Sequence, residues 1–291
     1  MTGARRVHLE PAFLLHHYPW RDSSRILELL TRTHGRVSVI ARASRQSSAT
    51  VGSALQPFSA ALVSWSARGE LGYLTSAERM LPTSATSPAN AGEVAPGAGE
   101  VPTSPANEGE VARRAGEGAR SAGGGLRRLA GNRLMSGFYA NELLIRLLQR
   151  NDPHPSLFDA YAALLDRLHA AGEDESRALR LFEKRLLDEL GWGLNLEHEA
   201  GSGAPVDPAR SYRYGLEGGA EPVDGVAEGT LIFSGASLLS LAREELDDPR
   251  SLGDARRLLR AALDRLLDGR TLRTREVLLE MRAHAGRPDG G

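Results

Sequence analysis

Arginines and aromatic rings interleave through the first eighty residues in a pattern that suits one chemistry, the gripping of a polyanion that also carries flat bases. Arg5, Arg6, Arg21, Arg25, Arg32, Arg36, Arg42, Arg45, Arg68 and Arg79 are opposed there only by Glu10, Asp22, Glu28, Glu70 and Glu78, a net charge of +5 in a chain whose formal net charge is −1. Guanidinium groups neutralise phosphates and release condensed counterions, while aromatic faces stack bases for about 1–3 kcal/mol each. The candidate phosphate contacts are Arg21, Arg25, Arg36, Arg42, Arg45 and Arg68, beside the rings of Tyr18, Trp20, Phe58, Trp65 and Tyr73. Phe58, after Pro57 and amid apolar residues, reads as core. Trp20 and Trp65 stay open between core and stacking, with Trp65 carried as a DNA-binding candidate. A face rich in one charge is also commonly plain solvated surface, so the sign alone does not decide the partner.

Catalytic patterns are missing. Lys184 is the only lysine and falls mid-helix, which leaves no candidate for a phosphate-binding loop lysine or a Schiff base. The Gly123–Gly125 run has no strand before it and no Gly-Lys-Ser/Thr after it. His16 and His17 alternate across a strand and cannot share one metal without distortion, and His198-Glu199 lacks a second histidine four residues on. With no cysteine, disulfides and thiolate metal sites are excluded. The expectation is a protein that is not an enzyme and needs no cofactor or metal.

The elements that must position these side chains change character along the chain. Segments 12–18, 25–31, 36–42, 60–65 and 71–78 read as five short strands parted by turns at Thr33–Arg36 and Ser66–Gly69, enough for a small barrel over residues 1–80. The segment 25–31 fits helical spacing too, but Gly35 and the β-branched run after it favour strand. Residues 81–125 are low in complexity, with the sequence of Thr86–Glu100 recurring at Thr103–Glu117, and read as a disordered insertion.

Helical spacing takes over in 126–291. Leu134, Phe138, Ile145 and Leu148 share one face, and Leu157, Tyr161, Leu164, Leu165 and Leu168 another, with Ser156 and Asp159 as a capping box. A third helix spans 175–190, buries Leu179, Phe182, Leu186 and Leu190, and stops at Gly191. A Gly/Pro/Asp-rich stretch, 192–234, holds a small β element around Tyr212-Arg213-Tyr214, and helices follow at 236–246 and from Ser251, capped with Asp254, to Gly269. The fold class is α+β, a five-stranded barrel followed by a mainly helical domain with a small irregular or β subregion.

The stretches 12–45 (AFLLHHYPWRDSSRILELLTRTHGRVSVIARASR) and 54–78 resemble the N-terminal OB-fold domain of the bacterial DNA repair and recombination mediator family RecO, and 136–150, 178–219 and 268–278 resemble its helical and C-terminal segments. That resemblance implies binding of single- and double-stranded DNA and annealing of complementary strands, even when coated by single-stranded DNA-binding protein (SSB). It also implies work with RecR, often alongside RecF, to load RecA without ATP. It further implies capture of the acidic, carboxylate-ended SSB tail by the helical domain, for which Arg177, Arg180 and Lys184 form a cationic stripe, with Arg180 the preferred carboxylate contact. Many family members carry a four-cysteine zinc finger at about 198–225, absent here, and Ala41–Arg45 lacks the family's loop glycine and lysine. No run of about 18 apolar residues and no leader pattern is present, so the expected location is cytoplasmic, with the nucleoid and without the membrane. The alternatives are a barrel that docks proteins, its arginines merely solubilising, and, more weakly, a metal-dependent nuclease.

Overall fold

The computed structural model describes residues 5–21, 24–42, 54–67, 69, 71–80, 129–223 and 231–285, and the repeat expected to be disordered lies outside them. The five expected strands are β1 (Arg5–Trp20), β2 (Ser24–Thr31), β3 (Gly35–Arg42), β4 (Ala60–Ala67) and β5 (Leu71–Arg79). They close into a barrel in the order β1–β2–β3–β5–β4, with β3 and β5 parallel and the other pairs antiparallel, the arrangement of an OB fold. Closure removes the exposed strand edges an open five-stranded sheet would keep.

Period-two alternation explains what fills the barrel and what covers it. Leu14, Leu27, Leu29, Val37, Val39, Val63 and Trp65 form the interior cluster. Phe13 and Leu30 point the other way, into the helices: the Phe13 ring lies 5.0 Å from Phe158 and 5.1 Å from Tyr161. The end of β2 is therefore buried on both faces, which is why 25–31 reads as a nearly continuous apolar run and mimics a helix.

The helices are α1 (Gly131–Leu147), α2 (Pro155–His169), α3 (Glu175–Glu189), α4 (Gly235–Ala242), α5 (Pro249–Leu267) and α6 (Arg273–Ala285), with a three-stranded sheet, β6 (Ser211–Gly215), β7 (Gly219–Val223) and β8 (Ile232–Ser234), in the expected irregular stretch. Several local expectations are corrected. α1 buries Tyr139, Ala140, Leu143 and Leu144 most fully; of the expected face Leu148 is buried, Leu134 and Ile145 pack half-buried on the core, and Phe138 is 40% exposed and leans on Phe58, which is core. α2 starts at Pro155 with no side-chain cap, and Asp159 pairs instead with Arg32 of the barrel at 2.8 Å. α5 is capped by Asp248, which accepts from the Ser251 amide, so Ser251 lies inside the helix. α6 was not anticipated at all.

Barrel and helices share polar locks as well as core. Asn141 donates to the Leu15 carbonyl at 2.9 Å and accepts from the buried Tyr161 hydroxyl. Glu28, 1% exposed, accepts from Ser38 Oγ and Arg150 at 2.7 Å each and from Arg36 at 3.2 Å. At the β2–β3 turn Gly35 has φ +65°, and a Cβ there would lie 1.8 Å from the Asp152 carbonyl oxygen, so only glycine admits the 150–152 loop to the barrel.

Candidate nucleic-acid interface

Strand register assembles the candidate surface. Tyr18 lies opposite Ile26, Ile26 opposite Ile40, and Ile40 opposite Tyr73, which in turn faces Ser66 and, across β4, Arg6. Two residues further along the same pleat, Trp20 faces Ser24 and Ser24 faces Arg42. All of these sit on the outward side, because the intervening Leu27, Val39 and Trp65 point inward. Tyr18, Trp20 and Tyr73 are 42%, 39% and 46% exposed. Arg21 lies over the Trp20 ring at 5.8 Å and Arg42 over Tyr73 at 5.5 Å. Alternating cations and rings on one face of a β-barrel are the ingredients of a sequence-tolerant single-strand platform.

The expected residues divide accordingly. Arg21 and Arg42 join the platform, and Arg25, exposed, lies at its margin opposite Pro19 and Ala41 on the alternate pleat. Arg45 and Arg68 lie outside the described residues. Arg36 is corrected: it points toward the helix-covered end and is paired with buried Glu28, where burial pushes its guanidinium below the ordinary arginine range. Trp65 is corrected too, since it is 4% exposed, fills the barrel interior and meets the edge of His34 at 5.2 Å, so no base can stack on it. The alternation of Val63 and Trp65 with Ser64 and Ser66 already carried that signal. Arg6, facing Ser66 beside Tyr73, was missed because it precedes the segment read as the first strand.

The cationic stripe on α3 is not a stripe. Arg177 donates to the carbonyls of Glu245 at 2.7 Å and Glu244 at 3.1 Å, and Lys184 pairs with Glu244 and Asp188. Both hold the turn after α4 rather than facing a ligand. Arg180 is buried, because α1, α5 and α6 cover that flank of α3, and it pairs with Glu183 at 2.7 Å. It lines a pocket shared with Tyr139, Glu183, Arg256, Arg260 and Arg275 and with apolar side chains including Leu179 and Leu278. Four guanidinium groups meet there, with Glu183 paired to Arg180 and Asp264 paired to Arg260 and Arg275. Arg256 and Arg260 were legible as an i, i+4 pair, but their convergence with Arg180 needs the packing of α5 on α3.

Among the described residues no group of three or more histidines or carboxylates is placed to hold a metal ion, and no helix is long and apolar enough to cross a membrane.

Comparison with known proteins covers both parts. Residues 6–81 match the family model for the recombination protein O N terminal region and residues 128–276 that for the recombination protein O C terminal region. Among similar proteins, each named DNA repair protein RecO, that of Alkalilimnicola ehrlichii is 42% identical over 97% of this chain and 94% of its own. That of Methylococcus capsulatus is 38% identical over 94% and 93%, and that of Aromatoleum aromaticum 34% over 97% and 99%.

Proposed function

Because the chain belongs to the RecO family of DNA repair proteins, mediators rather than enzymes, we propose that its barrel binds DNA through the outward platform and anneals complementary strands without ATP. The observation that carries this reading is the pairing of exposed rings with guanidinium groups on one continuous face: Arg21 with Trp20, Arg42 with Tyr73, and Tyr18 in register between them. Rings stack bases and arginines neutralise phosphates, so binding needs no base-edge readout and suits any sequence. Single strands engage both components, whereas duplex DNA, its bases stacked internally, engages the charges.

The helical pocket supports a second half of the same role. A peptide ending in a free carboxylate and rich in acidic and apolar side chains, such as the SSB tail, matches a pocket lined by four arginines and by apolar side chains. Arg180 remains the carboxylate contact, now with Arg256, Arg260 and Arg275 in place of Arg177 and Lys184. Through that contact the protein reaches SSB-coated strands in the cytoplasm and, with RecR and RecF, prepares them for RecA.

The test is annealing of complementary oligonucleotides coated with SSB, with no nucleotide added. The expected result is acceleration by the intact protein that falls as salt rises, loss of acceleration on coated strands alone for Arg180→Ala, and loss on bare strands for a Trp20→Ala, Tyr73→Ala double variant. A protein that neither shifts labelled single strands at low salt nor speeds annealing is a docking module, and the platform reading fails.

A further inference from the structure

Glu183 is an odd residue to find in a site for anions. It is 2% exposed and sits in the wall of the arginine pocket. Its Oε1 accepts from Arg180 at 2.7 Å and from the Tyr139 hydroxyl at 2.8 Å, while Oε2 has no hydrogen-bond partner, and neither has the Arg180 Nε. Buried polar atoms are almost always satisfied, so this ion pair keeps hydrogen-bonding capacity that no protein group uses.

The groups around the carboxylate come from every helix packed on it. α3 itself gives Arg180. α1 gives Tyr139, whose hydroxyl accepts from Arg275 of α6 at 3.3 Å, with the Arg275 guanidinium 5.6 Å over the ring. Burial drives the Tyr139 phenol upward, so it stays a proton donor to Glu183. α5 contributes Arg256 and Arg260, and Asp264 of the same helix draws on Arg260 and Arg275. Glu183 therefore occupies the guanidinium that a bound carboxylate would need.

We propose that Glu183 is the residue that makes the pocket selective for a terminal carboxylate: when the ligand's carboxylate takes Arg180, Glu183 accepts a solvent proton on Oε2 and, as the neutral acid, donates it in a hydrogen bond to the ligand. The inference rests on the carboxylate-capture reading of the pocket and adds its proton. No covalent bond changes; one proton leaves water and joins Glu183 for each ligand bound. Two carboxylates at hydrogen-bond distance repel, so the arrival of the second raises the proton affinity of the pair against the pull of the surrounding arginines. Burial already holds the Glu183 carboxyl above the usual range against the pull of Arg180, so the proton comes at low cost. An amide-ended ligand brings no such charge and has no use for the acid.

The sign follows from linkage. Ligand raises the Glu183 pKa, so binding tightens as pH falls between the bound and free values and is flat outside them. Calorimetry on the full chain decides, using an acidic peptide with a free C-terminal carboxylate and its C-amidated twin, in two buffers of different ionisation enthalpy. The expected result is uptake of up to one proton per free-acid peptide, and affinity rising by up to about tenfold per pH unit as pH falls between the bound and free Glu183 values. The amidated peptide binds more weakly, with no uptake. Glu183→Gln, which keeps the acceptor for Arg180 and Tyr139, binds the free-acid peptide with no uptake and a flat profile. Free-acid binding with no proton uptake, or uptake that survives Glu183→Gln, overturns the inference while leaving the pocket's ligand intact. No binding of either peptide at any pH overturns the pocket reading and this inference together. If Glu183→Gln does not fold, the two-buffer comparison of free-acid and amidated peptides on the unaltered protein decides by itself.

Discussion

Removing the Tyr73 ring separates stacking from charge on the barrel face. Tyr73 is 46% exposed and lies outside the barrel cluster, so Tyr73→Ala loses little core and shifts folding stability by less than about 1 kcal/mol, mostly its contact with the Arg42 guanidinium. If the ring stacks a base, the affinity for single-stranded DNA falls by about 1–3 kcal/mol, roughly 5- to 150-fold in Kd. No cation is removed, so the plot of log K against log salt keeps its slope. Arg42→Ala should do the opposite: a modest loss at low salt and a slope shallower by about 0.7, the value for one phosphate contact on a single strand. Fluorescence anisotropy with a labelled oligodeoxythymidylate across a salt series measures both quantities, and a melting curve confirms that each variant is folded. A folded Tyr73→Ala protein with unchanged Kd refutes the stacking argument. So does a Trp65→Phe protein that loses as much affinity, since Trp65 faces the barrel interior.

Further expectations concern what holds the platform in place. Gly35→Ala combines a left-handed backbone with a Cβ driven into the Asp152 carbonyl, and should cost at least about 2 kcal/mol, read by chemical denaturation. Glu28→Gln leaves Arg36, whose buried Nε already lacks a partner, without its counterion; a loss of roughly 2–3 kcal/mol, below that for a fully buried pair because Arg150 is half exposed, is expected by the same method. Glu142 anchors the start of α6: burial pushes its carboxyl up, but the Thr274 and Arg273 amides and the Thr274 hydroxyl outweigh that and hold it low. Its contribution is thus present above the unfolded glutamate pKa and lost as pH falls through the depressed folded value, so the protection factors of the α6 amides, each taken against the unstructured rate at the same pH, should fall on acidification, and a Glu142→Gln protein should show the low protection already at neutral pH.

The barrel was legible where its strands alternate, as Val63 and Trp65 do against Ser64 and Ser66, and where turn residues part the apolar runs. The platform was legible in composition but not in membership. Arg36 and Arg42 look alike in sequence, and only the position of the 150–152 loop decides that one is sealed against Glu28 and the other lies over a ring. The same holds on α3, where Arg177 and Lys184 are taken by the turn after α4, more than fifty residues away in sequence. Arg180–Glu183 and Arg36–Glu28 are close enough in sequence to be candidates, but which cations are buried with their partners depends on long-range packing. Helix caps failed for a related reason: Ser156 and Asp159 satisfy the local rule, but Asp159 is claimed by Arg32 from the barrel.

The outward face of β1 and β2 joins the two halves of the proposed role through one shared core. Beginning under the helices with Phe13 and Leu30, it passes the Glu28 node and emerges as Tyr18 and Trp20. The exposed end is held by its covered end, so the rings are ordered before DNA arrives and less entropy is lost on binding. The arginine pocket belongs to helices whose core is continuous with Phe13 and Leu30. On the proposed reading, a coated strand that offers its protein tail to the pocket would present its DNA to the platform. The second contact becomes intramolecular, at an effective concentration that reaches about the millimolar range for short flexible connections. Two individually modest sites, one for a carboxylate and one for a stretch of bases, then suffice to favour coated DNA over either component alone, and neither requires the free energy of nucleotide hydrolysis.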